Sequence, residues 1–274
     1  MLKRLLHNKM AMVCVGFILM IVLLGLLAPV LAPHDPYYNN ILNKFQAPSL
    51  EYPLGTDNLG RCVFSRMLYG VRPTLFLSFL TMAGTIGLGL LMGLLAGYLK
   101  GKVDEVIMRI IDIMLSFPSQ IMVLAVIALL GVNIQNVIIA NVFIKWAWYA
   151  RMIRTSVVQY TDSGFILFAK SIGHNTPYIL WHHMLPCIAS ELVVLASLDM
   201  GWAILNISTL SFLGLGVQAP IPEWGAMLSE AKNVMASRPE QMLVPGVSLM
   251  LLVAAFNMLG DCLRDVMDPK EARS

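Results

Sequence analysis

Hydrophobic positions in this chain fall in long unbroken runs, not in the one-sided pattern of a water-soluble helix or strand. Uncharged runs cover residues 11–33, 73–99, 113–144, 200–222 and 241–260. A helix that crosses a bilayer needs about 20 mostly apolar residues, so each run is long enough. The longest breaks at Gly131-Val-Asn-Ile-Gln-Asn136, a turn-forming sequence, which divides it into two helices. The pattern predicts an all-α polytopic membrane protein with six transmembrane helices, over residues 10–32, 74–99, 108–131, 134–152, 187–210 and 241–261. Three regions follow: 1–33, a tail and first helix; 34–73, rich in Pro and Asn turn formers; and a five-helix core, 74–274. The core contains a polar-flecked loop at 155–187.

Composition agrees with this reading. Of the 274 residues, 58% are hydrophobic and 13% charged, against about 25% charged in a soluble domain. The basic flank Lys3, Arg4 and Lys9 precedes an apolar run of over 20 residues. That exceeds the roughly 7–15 of a cleavable signal, so the first helix is expected to stay uncleaved. Basic residues favour the cytoplasmic side of a membrane. With both termini inside, twelve of the 19 Lys and Arg residues lie on cytoplasmic segments and six on external ones, with Lys145 inside a span. The loop at 155–187 is then cytoplasmic and the segments 33–73 and 211–240 are external. The net charge of +3 needs only this topology, and no nucleic-acid partner.

Several residue types point to packing rather than chemistry. Cys14, Cys62, Cys187 and Cys262 have no metal-type spacing. The 19 methionines are scattered gap-fillers. Gly89, Gly93, Gly97 and Gly101 recur every four residues, a spacing that lets two helix backbones approach closely. No phosphate-binding loop of the form G-x-x-x-x-G-K-[ST] occurs, and no catalytic set has local support, so neither ATP hydrolysis nor other catalysis is expected. The chain itself is expected to bind no cofactor and no metal.

The cytoplasmic loop is different. Residues 165–172 form one amphipathic helix, Gly173 can end it in a left-handed conformation, and residues 177–184 form a second. The spacing Ala169-x3-Gly173-x9-His183-x-Leu185-Pro186 resembles the coupling loop of binding-protein-dependent ABC importer permeases. The family's Glu-Ala is replaced by Leu167 and Phe168, and its Ile by His183. Leu54-Gly-Thr-Asp57-Asn-Leu-Gly-Arg61, Asp112-x4-Phe117-Pro118, Leu210–Gly216 with Pro222-Glu-Trp-Gly225, and Ala255-Phe-Asn257 through Asp268-Pro269 are similar to the dipeptide, oligopeptide and nickel branch. Trp146-Ala-Trp148-Tyr149-Ala-Arg151-Met-Ile-Arg154 and Leu198-Asp199-Met-Gly201 look most like nickel or metal-chelate permeases.

The resemblance implies a type I ABC importer fold in the bacterial inner membrane and a homologous second permease subunit. It also implies two ATPase subunits carrying ATP and Mg, and an external binding protein. Nickel or a metal chelate is the expected cargo, with di- or oligopeptides the alternative. Ala169, Gly173, His183, Leu185 and Pro186 would couple to the ATPases. Asp199, about 18 Å into its span at 1.5 Å per residue, would attract a cationic cargo. Lys145 and Glu191, at matching depths, are expected to form an intramembrane ion pair. Asp57, Arg61, Glu223 and Trp224 would meet the binding protein, or else cap and pack their own loops. His174, His182 and His183 are read as interface or surface groups, because adjacent helical side chains point about 100° apart. An ion-gradient transporter would call for inverted repeats, which are not evident, and would leave the coupling loop unexplained. A purely structural membrane protein would need neither Asp199 nor so large a loop.

Overall fold

The computed structural model describes residues 8–267. Lys3, Arg4, Lys270, Arg273 and the Asp268-Pro269 pair lie outside the described residues. Within them the structure is helical, with no strand longer than an isolated bridge between Thr56 and Cys62.

Helix α1 spans Lys9–Leu26. Asn8 caps it, its side chain accepting from the backbone N–H groups of Met10 and Ala11. The run then breaks at Leu27, ahead of the single turn α2, Ala28–Leu31, with Pro29 in its first turn. At the other end of α1, Arg72 donates to the carbonyls of Gly25 and Leu26 at 2.7 and 3.0 Å. A cation thus satisfies carbonyls that no helical turn can reach.

Helix α3, Val63–Leu99, is 37 residues long and runs through Pro73, so the expected start at residue 74 is eleven residues late. A proline removes one backbone donor and clashes with the preceding turn, yet here packing on both sides of Pro73 carries the helix through. Lys100 and Gly101 both take positive φ (54° and 59°) and turn the chain into α4, Gly101–Ser116. The single span expected at 108–131 is a second correction. Phe117 is extended ahead of Pro118, as a residue before proline prefers. Helices α4 and α5, Ser119–Leu130, therefore meet at 91°. Gly131, at φ 88°, and Asn133, which accepts from the Gln135 N–H, make the expected turn into α6, Ile134–Thr161.

Then come α7, Gly164–Ser171; α8, Thr176–Ile179; a π-turn at Leu180–Met184; and α9, Leu185–Phe212. The loop after α9 carries α10, Trp224–Ala231, and the described residues end with α11, Glu240–Met267, which contains Pro245. Four helical stretches are long and apolar enough to cross a membrane: α1, α3, the continuous run Thr176–Phe212, and α11. The bent pair α4–α5 makes a fifth. Helix α6 has the length for a sixth, but its polar and charged residues, Lys145, Arg151 and Arg154 among them, make it less apolar than these five.

The chain forms two compact units. One gathers the chain up to Leu80, Gly131–Val137 and the chain from Ser197; the other comprises Thr81–Leu130 and Ile138–Ala196. Their boundaries cut through α3 and α9, so neither unit is a continuous piece of sequence. In the first, α1 packs along α11 and α10 against α11. In the second, α3 lies on α6. A Cβ on Gly89 would sit 2.5 Å from the Tyr149 Cβ, one on Gly93 2.8 Å from the Ala150 carbonyl oxygen, and one on Gly97 2.8 Å from the Val157 Cβ. The four-residue glycine spacing is a helix–helix seam, as expected, except that Gly101 lies beyond it with open space around its Cβ position.

Candidate functional site: the coupling segment and the external lobe

Residues 162–184 form the segment that the sequence marks for coupling. The segment is shorter than 155–187, because α6 continues to Thr161. Ile166 and Ala169 are the inward face of α7, while Phe165, Leu167, Phe168 and Ile172 are exposed. Gly173 takes φ 87°, a conformation costly for any residue with a Cβ. It ends α7 with the His174 N–H reaching back to the Ala169 carbonyl at 3.2 Å. Asn175 caps α8 by accepting from the Tyr178 N–H. Ile179, Leu180 and Met184 are buried beneath it, whereas Tyr178 and Trp181 stand outside.

His183 is half-buried within an aromatic group. Tyr178 stacks between His174 and His182, each ring centroid 4.2 Å away, and His183 meets Tyr178 edge-on at 5.8 Å. The rings face one another, and among the described residues no His, Cys, Asp and Glu group is arranged to hold a metal ion. Leu185 and Pro186 do not start a separate helix. The π-turn joins them to α8, and the backbone runs helically from Thr176 to Phe212.

The segment is fixed to the end of α3. Lys170 lies over the Tyr98 ring at 4.8 Å, and Thr161 donates to the Gly97 carbonyl. Lys100 bridges to Asp162 at 2.8 Å, and its ammonium holds that carboxyl below the usual carboxylate range. Two further pairs tie α6 to α4: Arg154 grips Asp104 through two bonds at 2.5 and 2.6 Å, and Arg151 binds Asp112. Trp146, Ala147 and Ala150 pack on Ile111 between them. Both motifs that resembled the metal branch therefore have packing parts. In the second, a Cβ on Gly201 would lie 2.4 Å from the Asn257 Oδ1 and one on Gly260 2.7 Å from a Leu198 methyl, so α9 and α11 cross closely around Asp199. Asp199 itself is half-buried.

The expected Lys145–Glu191 pair is corrected. The Ser156 hydroxyl donates to the Glu191 Oε2 at 2.6 Å, and the Lys145 ammonium lies 5.1 Å over the Trp148 ring. Ser156 is eleven residues beyond Lys145 on α6, about 16 Å along the axis. Depths counted from apolar run ends had placed both groups at one level, but α6 continues well past the expected end of its span.

Asp57, Arg61, Glu223 and Trp224 are all buried within the first unit (6%, 2%, 0% and 2% exposed), where they take the second of the two expected roles, capping and packing their own loops. Asp57 accepts from the Leu59 and Arg61 N–H groups and from the Arg61 and Arg66 guanidiniums. Glu230 on α10 accepts from the same two guanidiniums at 2.5–3.1 Å. Sequence reasoning left Arg66 and Glu230 out of this site. Glu223 caps α10 through the Ala226 N–H and accepts from Ser208 and Thr74. Trp224 donates to the Met67 carbonyl and lies against Gly70. The external signature is therefore a four-charge lock and a cap that hold α10 in place.

Comparison with known proteins agrees with these motifs. Residues 89–273 match the family described as binding-protein-dependent transport system inner membrane component, and residues 1–48 match the N-terminal TM domain of oligopeptide transport permease C. The chain is 44% identical to the metal-staphylopine import system permease protein CntC of Staphylococcus aureus, over 98% of this chain and 93% of that one. It is 41% identical to the dipeptide transport system permease protein DppC of Alkalihalophilus pseudofirmus (98% and 88%). To the nickel transport system permease protein NikC of Escherichia coli it is 38% identical (86% of each).

Proposed function

We infer the function from one premise: the chain belongs to the family of binding-protein-dependent transport system inner membrane components. It is a multi-pass permease component of an ABC importer, not an enzyme. Beyond that, we propose that it forms half of a translocation pathway for nickel or a metal–chelate complex. A homologous permease supplies the other half, two ATPase subunits drive it, and an external binding protein loads it. Both termini are read as cytoplasmic. The observation that carries this reading is the segment 162–184, whose exposed Phe165, Phe168 and Trp181 rest on buried Ile166, Ala169 and Met184. An apolar outer surface on two short helices, the second of them joined without a break to a membrane span, suits a partner that pushes from the cytosol. ATP closure would then shift the permease between its two states by binding one better than the other.

Asp199 is proposed to attract the cationic part of the cargo. The high identity to a relative named for metal–staphylopine import supports the metal reading. The dipeptide permease relative, at 41%, supports the second one, a di- or oligopeptide cargo. Vesicles holding the assembled transporter test both. Uptake of radioactive nickel, alone or with a small chelator, is expected to exceed uptake of a labelled dipeptide, and Asp199→Asn to reduce it roughly tenfold. Dipeptide uptake with no metal uptake would select the second reading. Unchanged ATP-dependent uptake after deletion of residues 164–172 would remove the coupling role.

A further inference from the structure

The burial of Asp57, Arg61, Glu223 and Trp224 leaves the external lobe without its expected docking residues. Of the six cations assigned outside, Arg61 and Arg66 are held in the lock and Arg72 caps α1. The remaining three are exposed and lie on aromatic rings: Lys44 at 5.0 Å and Arg238 at 5.8 Å from the Phe45 centroid, and Lys232 at 5.8 Å from that of Phe212. Arg238 has Glu240 at 3.8 Å. Among the described residues no carboxylate lies within bridging distance of Lys44 or Lys232. The exposed acids of the lobe are engaged elsewhere: Asp35 accepts the Tyr37 N–H, and Glu51 faces His34 at 4.0 Å.

Phe45, between Lys44 and its ring partner Arg238, has φ 55°, an uncommon conformation for a residue with a large side chain. Its N–H donates to the Asp57 carbonyl, so the charge lock holds the strained turn. Beside it Leu42 is 95% exposed, with Ile41 and Met235 also outside. Basic groups fixed over aromatic rings, next to exposed apolar side chains, combine charge that can steer a partner with area that can be buried against it.

We propose that Lys44, Phe45, Arg238, Lys232 and Leu42 form the surface on which the external binding protein docks, through an acidic face of that protein. The positive charges steer its approach and set its register, and Leu42 is the apolar anchor. The proposal rests on the importer reading above and names a surface that the reading leaves open.

The test uses the assembled transporter in vesicles of neutral phosphatidylcholine and in vesicles containing phosphatidylglycerol, with binding protein titrated outside. Lys44→Glu with Lys232→Glu is expected to raise the half-saturating binding-protein concentration roughly tenfold or more and to flatten its salt dependence. The rate at saturation should stay near that of the parent, and Leu42→Ser should give a similar shift. Lys102→Glu, on the opposite side by the charge count, should leave the concentration unchanged. An unaltered half-saturating concentration in a parent-like responsive system overturns the docking surface alone. A shift seen only in phosphatidylglycerol vesicles makes the ligand a lipid headgroup and overturns it too. A parent complex indifferent to binding protein overturns the importer reading and this surface with it.

Discussion

Glu230 shows how much a single side chain can hold together. Its two oxygens take three bonds from Arg61 and Arg66, both 2% exposed. Glu230→Ala would leave two buried guanidiniums sharing only Asp57. Removing one partner from a buried charge network typically costs about 3–5 kcal/mol. The expected result is a lower unfolding temperature of the purified transporter with α10 released to proteolysis. Unchanged melting would show that water replaces Glu230. Asp57 and Arg61 were visible in the sequence as part of a motif, but their burial was not. A charged motif in a loop reads as surface, and only the fold reveals that Asp57 and Glu230, 173 positions apart in sequence, share the same two cations. The level of Lys145 was misread for a related reason: the depth of a group depends on where its helix ends, and polar residues within α6 hid that end.

The seam between α3 and α6 offers a paired prediction at the level of elements. A Cβ on Gly93 would lie 2.8 Å from both the Ala150 carbonyl oxygen and the Ile153 Cβ, while one on Gly87 meets nothing within 4 Å. Gly93→Ala must push two backbones apart, a cost of about 1–3 kcal/mol for overpacking. Gly87→Ala in the same helix is expected to stabilise by up to about 1 kcal/mol through helix propensity. Thermal melting of the two variants in detergent decides, and similar melting points would deny the seam. This seam was legible from spacing alone, as were the turn at Gly131 and the left-handed Gly173. Element ends were less so. Pro73 invited a start that packing overrides, and Phe117-Pro118 was read as a motif within a span, although the geometry that proline imposes on its predecessor makes it a right-angled bend.

At the scale of the whole molecule, the expectation to be tested is sidedness. Ala47 and Ser171 are both exposed, the first on the external lobe and the second on the coupling segment. With native cysteines replaced, Ala47→Cys should react with a membrane-impermeant thiol reagent on intact cells and Ser171→Cys only after permeabilisation. The reverse pattern would invert the charge-based orientation. Apolar runs were enough to read an all-helical membrane chain, and motifs enough to read its family. The interleaving of two compact units was not readable, because three of their four boundaries fall inside the helices α3, α6 and α9. One of those helices has a further consequence. Under the coupling role proposed above, the helical run Thr176–Phe212 would act as a lever pivoting where Ser156 holds Glu191. The arm towards the cytosol is then 15 residues, about 22 Å, and the far arm 21 residues, about 32 Å, at 1.5 Å per residue. Each ångström of push at Thr176 would then become about 1.4 Å of swing at Phe212.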